Sequence, residues 1–587
     1  MAHLKQPKTA NQLMKINLMI VFLLGASLIS LLNREPDFDA PLFDNLGDYH
    51  LEITTNNSYA DRFFNQGVIL ANGFNHLEAA RSFREAIRQD ENCAMAYWGL
   101  AYVLGPNYNT ASLMTEDRNN ITNSVKKAVS LKSKVKPWER ALIDAIAVRF
   151  PENSESTDPE GYNQAMKNAF EEFTDNDLIA TLYAESIMNL HAWDLYELRG
   201  GTPKPWTPKL VSVLEKSLEL NPENPLTNHL YIHAIEASNS VDRALPSADR
   251  LRNLVPGAGH LVHMPSHIYI NTGDYAAGSE VNERAVVVDS IYIAQCKVQG
   301  VYPMLYYPHN YHFLAATTAL EGRGTRSIEA AFKMADIIDR QYLNKPGYET
   351  TQHYITIPFN VLVKFAQWEK ILSLPKPIKE LEYPTAIWRY ARGMAYANTN
   401  KIAQAKAELT ELALLVKSEN IRNKMIWEIN SAGDVVEIAY NVLQGEIARI
   451  SGDLNGAAQF YQAAIKVEDQ LSYNEPPDWF FAVRHMLGDV YLRMGEFRKA
   501  EIAFREDLKI FPKNGFALKG LYHSLEGLGQ TQEAIETLKE FNKAWKNADM
   551  DLKYSRIDPS KRRNLVINIK SDSPNNLIYI AGTFCSF

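Results

Sequence analysis

The feature that most restricts the fold of this 587-residue chain is repetition at a fixed period. GVILANGFNHLEAARSFREAI (67–87), GEIARISGDLNGAAQFYQAAI (445–465) and GDVYLRMGEFRKAEIAFREDL (488–508) follow one plan. Each opens on a small residue in a first helical stretch, with an aromatic or aliphatic residue one turn later. A turn at Gly or Asn follows, then Ala, an aromatic or aliphatic residue, and Ala or Asp in a second helical stretch. Gly488 to Tyr522 and Gly495 to Gly529 are both 34 apart, the spacing of a helix–turn–helix unit that stacks on copies of itself.

Packing explains the pattern. Two short antiparallel helices cannot bury their apolar stripes alone, so Gly488 and Ala500 allow close approach while Tyr491 and Phe504 fill the space against the next pair. Pro222 and Pro512 fall just after second helices, where the chain turns. Weaker copies are placed at 226–256, 260–290, 309–340, 353–372 and 387–415, and the region 112–210 is helical by period with little of the signature. The expected architecture is all-α, a solenoid of antiparallel helix pairs over 58–549, preceded by an extended lead-in at 34–57. Residues 550–587 diverge: strand-like alternation and Lys561, Arg562 and Arg563 replace the helical period, and so short a stretch builds little core, so a poorly packed tail is expected.

Composition excludes several classes. Hydrophobic residues make up 46% and aromatics 11%, enough apolar surface to order most of the chain. A formal net charge of -8 argues against a general nucleic-acid binder, and no nucleic-acid partner is expected. Cys93, Cys296 and Cys585 form no CxxC pair, so neither a disulfide framework nor a thiolate zinc site is indicated. At the N-terminus, Lys5, Lys8 and Lys15 precede the uncharged run Ile16 to Leu32. A basic flank before such a run reads as a signal-anchor or signal peptide over 1–33. Leu28 and Ile29 interrupt the small residues that a cleavage site would need, which favours an uncleaved anchor, with the membrane contacted through 16–32 and the repeats on the extracytoplasmic side.

The chain resembles tetratricopeptide repeat proteins. More narrowly it is similar, from roughly Pro41 to Asp549, to a bacterial membrane- or periplasm-associated group without settled activity, on the motifs FNHLEAARSF (74–83), CAMAYWGLAYVLGPNYN (93–109), VPGAGHLVHMPSHIYI (255–270), YYPHNYHFL (306–314) and EPPDWFFAVR (475–484). The resemblance implies a right-handed superhelix with a concave groove that takes a protein, peptide or small ligand.

Seven of the 14 histidines, His229, His233, His260, His263, His267, His309 and His312, lie in one 84-residue window. His229 and His233 are four apart with Glu236 three further on, so one helical face carries all three. His263 and His267 repeat the spacing with His260 one turn earlier, though Pro265 predicts a kink there, and His309 and His312 follow Pro308. With Ile232, Ser266, Ala315 and Phe359 as the packing positions of successive first helices, the resemblance implies that these histidines, together with His353 and Asn360, line the groove. Glu185 and Asn189 would do so one repeat earlier.

Three readings stay open. Neutral imidazoles with a carboxylate suit Zn, Cu, Fe or Ni, with His229, His233, His263 and His267 as ligands, Glu236 as ligand or general base, and Tyr269 or Tyr311 as donor. Three His and Glu236 would make a mononuclear site; more His, a dinuclear one. A polar groove for an anion or peptide, with Tyr231, Tyr269 and Tyr311 contributing, is the second. Histidines that cap helices and satisfy buried carbonyls are the third. No GxSxG, HExxH, Walker loop or GxGxxG stands in a fitting context, and GRGTR (322–326) reads as a turn. His76 reads as structural, and Trp98, Trp193, Trp206, Trp388 and Trp479 as packing between repeats.

Overall fold

The computed structural model of the protein describes residues 39–557 apart from 111–116, 153, 155, 198–200, 299 and 379. The expected anchor at 1–33 and the tail beyond 557 lie outside the described residues. Among those described, no helix is long and apolar enough to cross a membrane. The chain divides into two units, 1–41 and 42–587, and every described helix belongs to the second.

That unit is an all-α stack of antiparallel helix pairs of the tetratricopeptide type. Sheet among the described residues is limited to two small hairpins, Met425–Ile426 with Asn430–Ser431 and Leu552–Lys553 with Arg556–Ile557. Local chemistry sets the helix starts. Asn57, Asn224 and Asn514 each accept a backbone N–H of the first turn, at 2.9 to 3.1 Å, and Pro225 stands at a first helical position where its missing N–H loses no bond.

The repeat signature is a steric device. A Cβ on Gly67 would lie 2.7 Å from the ring of Phe83, one on Gly445 2.6 Å from Tyr461, and one on Gly488 2.3 Å from Phe504. In each case the aromatic stands sixteen residues downstream on the partner helix. The same ring serves the next pair: Gly99 would meet Phe83 at 2.3 Å and Gly520 would meet Phe504 at 2.2 Å. One aromatic thus wedges between three helices, and only glycine leaves room for it.

The region 118–190 is helical although its signature is weak, in Arg118–Leu131, Pro137–Arg149, Pro159–Glu172 and Asp177–Leu190. The packing positions Ile232, Ser266, Ala315 and Phe359 are all fully buried. Residues 552–557, expected in a poorly packed tail, instead return into the stack. Arg556 binds both carboxylate oxygens of the buried Glu446, at 2.8 and 3.0 Å, and Ser555 donates to the His485 carbonyl at 2.7 Å. A paired guanidinium supplies the anchorage that a short segment cannot draw from apolar burial.

Candidate metal centre

Three consecutive first helices carry the histidines. Pro225–Ile235 presents His229 and His233 one turn apart, with Glu236 at its C-terminal cap. The next begins as Gly259–His263, is broken at Met264 because Pro265 has no N–H to donate, and resumes as Pro265–Thr272. It brings His260, His263 and His267. The third, Tyr307–Leu320, follows a π-helical turn at Tyr302–Tyr306 and carries His309 and His312. Side-chain directions at helical spacing bring six rings into one chain of neighbours: His229 lies 4.9 Å from His233 and 5.0 Å from His260, His263 4.9 Å from His267 and 4.8 Å from His309, and His233 5.5 Å from His267, centroid to centroid.

The hydrogen bonds assign the nitrogens. His229 Nδ1 faces the Asn72 carbonyl at 2.7 Å, and a carbonyl only accepts, so Nδ1 carries the proton. By the same logic His263 Nδ1–H donates to Asn282 Oδ1 at 2.7 Å, and that amide is itself oriented by its donation to the Gly278 carbonyl. Glu236 takes two rings at once, His233 Nδ1–H on Oε1 at 2.9 Å and His267 Nδ1–H on Oε2 at 2.6 Å. Four imidazoles are therefore held through Nδ1 by an oxygen, the outer-sphere arrangement that turns Nε2 toward a metal.

The Nε2 atoms converge. His229 and His260 approach to 3.2 Å through Nε2, and His263 and His267 to 3.0 Å. Ligands at about 2.0–2.1 Å from one ion stand roughly 3.0–3.4 Å apart. In each of two three-imidazole sets, His229/His233/His260 and His263/His267/His309, one ligand atom from every residue lies within 4.8 Å of the others. His233, Glu236 and His267 form a third such group between them. His233 Nε2, His260 Nδ1 and His309 Nδ1 are buried with no partner.

The electrostatics favour neutral rings. Burial, followed by mutual repulsion among the histidines, holds His260 and His309 well below the usual range, and burial likewise dominates at His229 and His263. His267 goes the other way: burial opposes its charge, but Glu236 and Glu475 outweigh it and raise it to about 9. Glu236 is correspondingly depressed, its burial overcome by His267 and His233, while burial raises Glu475 to about 7. One proton, on His267 and aimed at His263, thus stands where a cation would bridge the pair.

The rings are interior, not open to a groove. His229 and His263 are 0% exposed, and His309, the most accessible of the six, 8%. Segments remote in sequence cover them. Phe74 packs on His229 and His260 at 5.0 and 4.9 Å, Tyr306 on His260, Tyr108 and Trp193 on His233, and Trp427 on His309. Glu475 reaches His267 at 3.2 Å, held by Asn271, which also donates to Tyr473. Phe74, Tyr108, Tyr306 and Glu475 stand within the motifs quoted above, and the segments holding Phe74 and Tyr108 could be read as shaping one end of the groove, but nothing local assigns any of them to a histidine that far along the chain. Trp193, read as packing, belongs to this cover.

Other candidates stand apart. Glu236 accepts from two ligand-type histidines, so its oxygens orient rings rather than act as a free base. Tyr269 donates to Asp249 at 2.6 Å, and Tyr311 packs against Tyr307 at 5.4 Å. Their partners leave the donor role without support. Glu185 accepts both contacts of the Tyr102 hydroxyl, at 2.8 and 2.9 Å, and the amide of Asn189 has no partner. His312 and His353 form a pair of their own at 5.6 Å, with Phe480 stacked on His312 and the Tyr383 hydroxyl 2.8 Å from His353 Nδ1. Asn360 borders a separate cavity. His76 lies edge-on to Phe74 at 5.7 Å, a packing contact.

Comparison with known proteins bears on the repeats. The sequence model of the tetratricopeptide repeat family matches residues 481–514. The CTR9 homolog of Arabidopsis thaliana is 34% identical over 92 residues, 16% of this chain, and the chain spans only 8% of that relative's length. Among solved structures, the APC/C hetero-tetramer Cut9-Hcn1 aligns over 84% of this chain and 74% of its own at 14% identity and a TM-score of 0.28. The human IFIT1 dimer with m7Gppp-AAAA aligns over 84% and 91% at 13% identity and 0.30. The family match identifies a tetratricopeptide repeat at 481–514, and the glycine–aromatic wedge found there recurs elsewhere along the stack.

Proposed function

We propose that the protein is a metal-dependent repeat protein whose interior holds two first-row transition ions, one in each three-imidazole set, and that the fourth position left at each ion is where a substrate or water binds. The observation that carries this reading is the approach of Nε2 to Nε2 at 3.2 and 3.0 Å in two imidazole pairs, three of whose four members are turned there by Nδ1–H bonds to oxygen. In each set a further buried imidazole nitrogen has no protein partner, His233 Nε2 in one and His309 Nδ1 in the other. A thiolate-free, nitrogen-rich donor set suits Zn, Cu, Fe or Ni. Three protein ligands with an open position is the arrangement of catalytic rather than structural metal sites.

The test is metal analysis of protein purified without a nickel column. Two equivalents per chain are expected, falling to one or none in His233→Ala with His267→Ala. Metal-free wild-type protein that fails to take up Zn, Cu, Fe or Ni in titration overturns the reading.

A second reading, an interaction scaffold that takes a protein or peptide, draws on the repeat match at 481–514. It predicts a partner captured equally by wild type and by the doubly substituted protein. For the cell, the basic flank before residues 16–32 supports membrane attachment with the repeats exported, as in the bacterial group the motifs resemble. Membrane fractionation with protease protection tests it, and recovery of the full chain in the cytosolic fraction counts against it.

A further inference from the structure

A cavity of about 340 Å³ lies where the helix Ile357–Lys364 meets residues 479–486 and the hairpin at 552–557. That size is within the range of small-molecule sites. Its walls include the rings of Trp479, Phe481 and Phe516, and the carboxylates and ammonium-type groups around it are segregated. Lys364, Arg449, Arg493, Lys553 and Arg556 face the space. The acids that hold them do not: Glu446 binds Arg449 and Arg556 from behind, and Asp489 binds Arg493. Asp507 is taken by His485 at 2.8 Å. Five basic side chains line the space and no carboxylate does, with Lys364 buried among them and Lys553 and Arg493 exposed to solvent.

Two buried polar groups on the wall have no protein partner. Both amide atoms of Asn360 and the indole N–H of Trp479 are unsatisfied, in residues 4% and 5% exposed. A buried donor or acceptor left so is destabilising, which the fold tolerates where a ligand completes it. Lys364 Nζ stands 3.6 Å from the Phe516 ring centre and 2.8 Å from His485 Nδ1, a cation with aromatic contacts but no carboxylate in direct contact.

We propose that this cavity is a binding site for a small organic anion, a carboxylate or phosphate head on a flat apolar body, with the head toward Lys364 and Arg493 and the body against the aromatic walls. Burial, against the pull of Asp507 and helped by Arg556, lowers Lys364 to about 7, so the arriving anion supplies the counter-charge that the site lacks. The site is distinct from the metal centre. Phe480, which lines the cavity, stacks on His312, a histidine outside both three-imidazole sets.

Calorimetry on chelator-treated full-length protein, titrated with phenyl phosphate, benzoate, inorganic phosphate and neutral benzamide, tests this independently of any metal. One of the two aromatic anions binds saturably at one per chain, roughly tenfold or more tighter than benzamide and than inorganic phosphate, and the tighter of the two identifies the head group. Lys364→Met and Arg493→Gln each weaken it by about tenfold, and Trp479→Phe, which keeps the ring and deletes the N–H, by a few-fold, with the helical circular-dichroism signal of the folded protein unchanged. Arg493 is one-third exposed, so its replacement leaves the fold intact if Lys364→Met does not. The proposal fails if neither aromatic anion binds by about 10 mM, if benzamide or inorganic phosphate binds as tightly, or if affinity is the same in the Lys364 and Arg493 variants.

Discussion

At Glu236 one carboxylate orients two imidazoles, one from its own helix and one from the next. An amide in its place keeps a single acceptor, so one ring loses its anchor and His267 loses the charge that raises its basicity. Glu236→Gln is therefore expected to lower metal affinity by about 10–100-fold with little change in helicity, measured by competition titration with a chromogenic chelator. Lys364 gives a prediction of a different kind. Its folded pKa, about 7, is below the ordinary 10.5, so between those pH values the unfolded chain binds more protons than the folded one. Stability then rises with pH across that window, and Lys364→Met removes the rise, as urea melts between pH 6 and 10 would register. The histidine spacings were legible because four residues bring a helix back to the same face. Their hydrogen-bond partners were not, since Asn72 stands 157 residues from His229 and nothing in either neighbourhood announces the other.

Among the helix pairs, the glycine–aromatic wedge is open to direct trial. Gly488→Ala gains about 1 kcal/mol of helix propensity but drives a methyl to 2.3 Å from Phe504, an overpacking of about 1–3 kcal/mol. The ring is itself pinned by Gly520, so the clash prevails and the midpoint of thermal unfolding falls. Arg556→Met strips one of two guanidiniums from the buried Glu446. About 3 kcal/mol of destabilisation is expected, the low end for a broken buried pair because Arg449 remains. The wedge was readable from the recurring small and aromatic residues, as was the break at Pro265, because each is written within a single repeat. The π-helical turn before His309 and the inward fold of 552–557 were not, since both are imposed by what lies across the stack.

At the scale of the molecule, the cluster ties together three successive first helices and segments near Phe74 and Glu475, from opposite ends of the chain. An ion bound only by the folded state adds stability that grows with free metal, about 4 kcal/mol at a thousandfold excess over Kd. Chelation is accordingly expected to lower the melting temperature of wild type, by several degrees, and that of His233→Ala with His267→Ala by less, by calorimetric scanning with and without chelator.

The aromatic cover has a kinetic consequence. Among the described residues, Phe74, Trp193, Tyr306 and Trp427 are seated over the imidazoles, so an ion would enter or leave by transient parting of those segments. Isotope exchange at the centre should then be slow and set by the frequency of that parting, whatever the concentration of metal outside. Truncating the lid at Phe74→Ala would quicken both capture and escape while leaving every ligand in place.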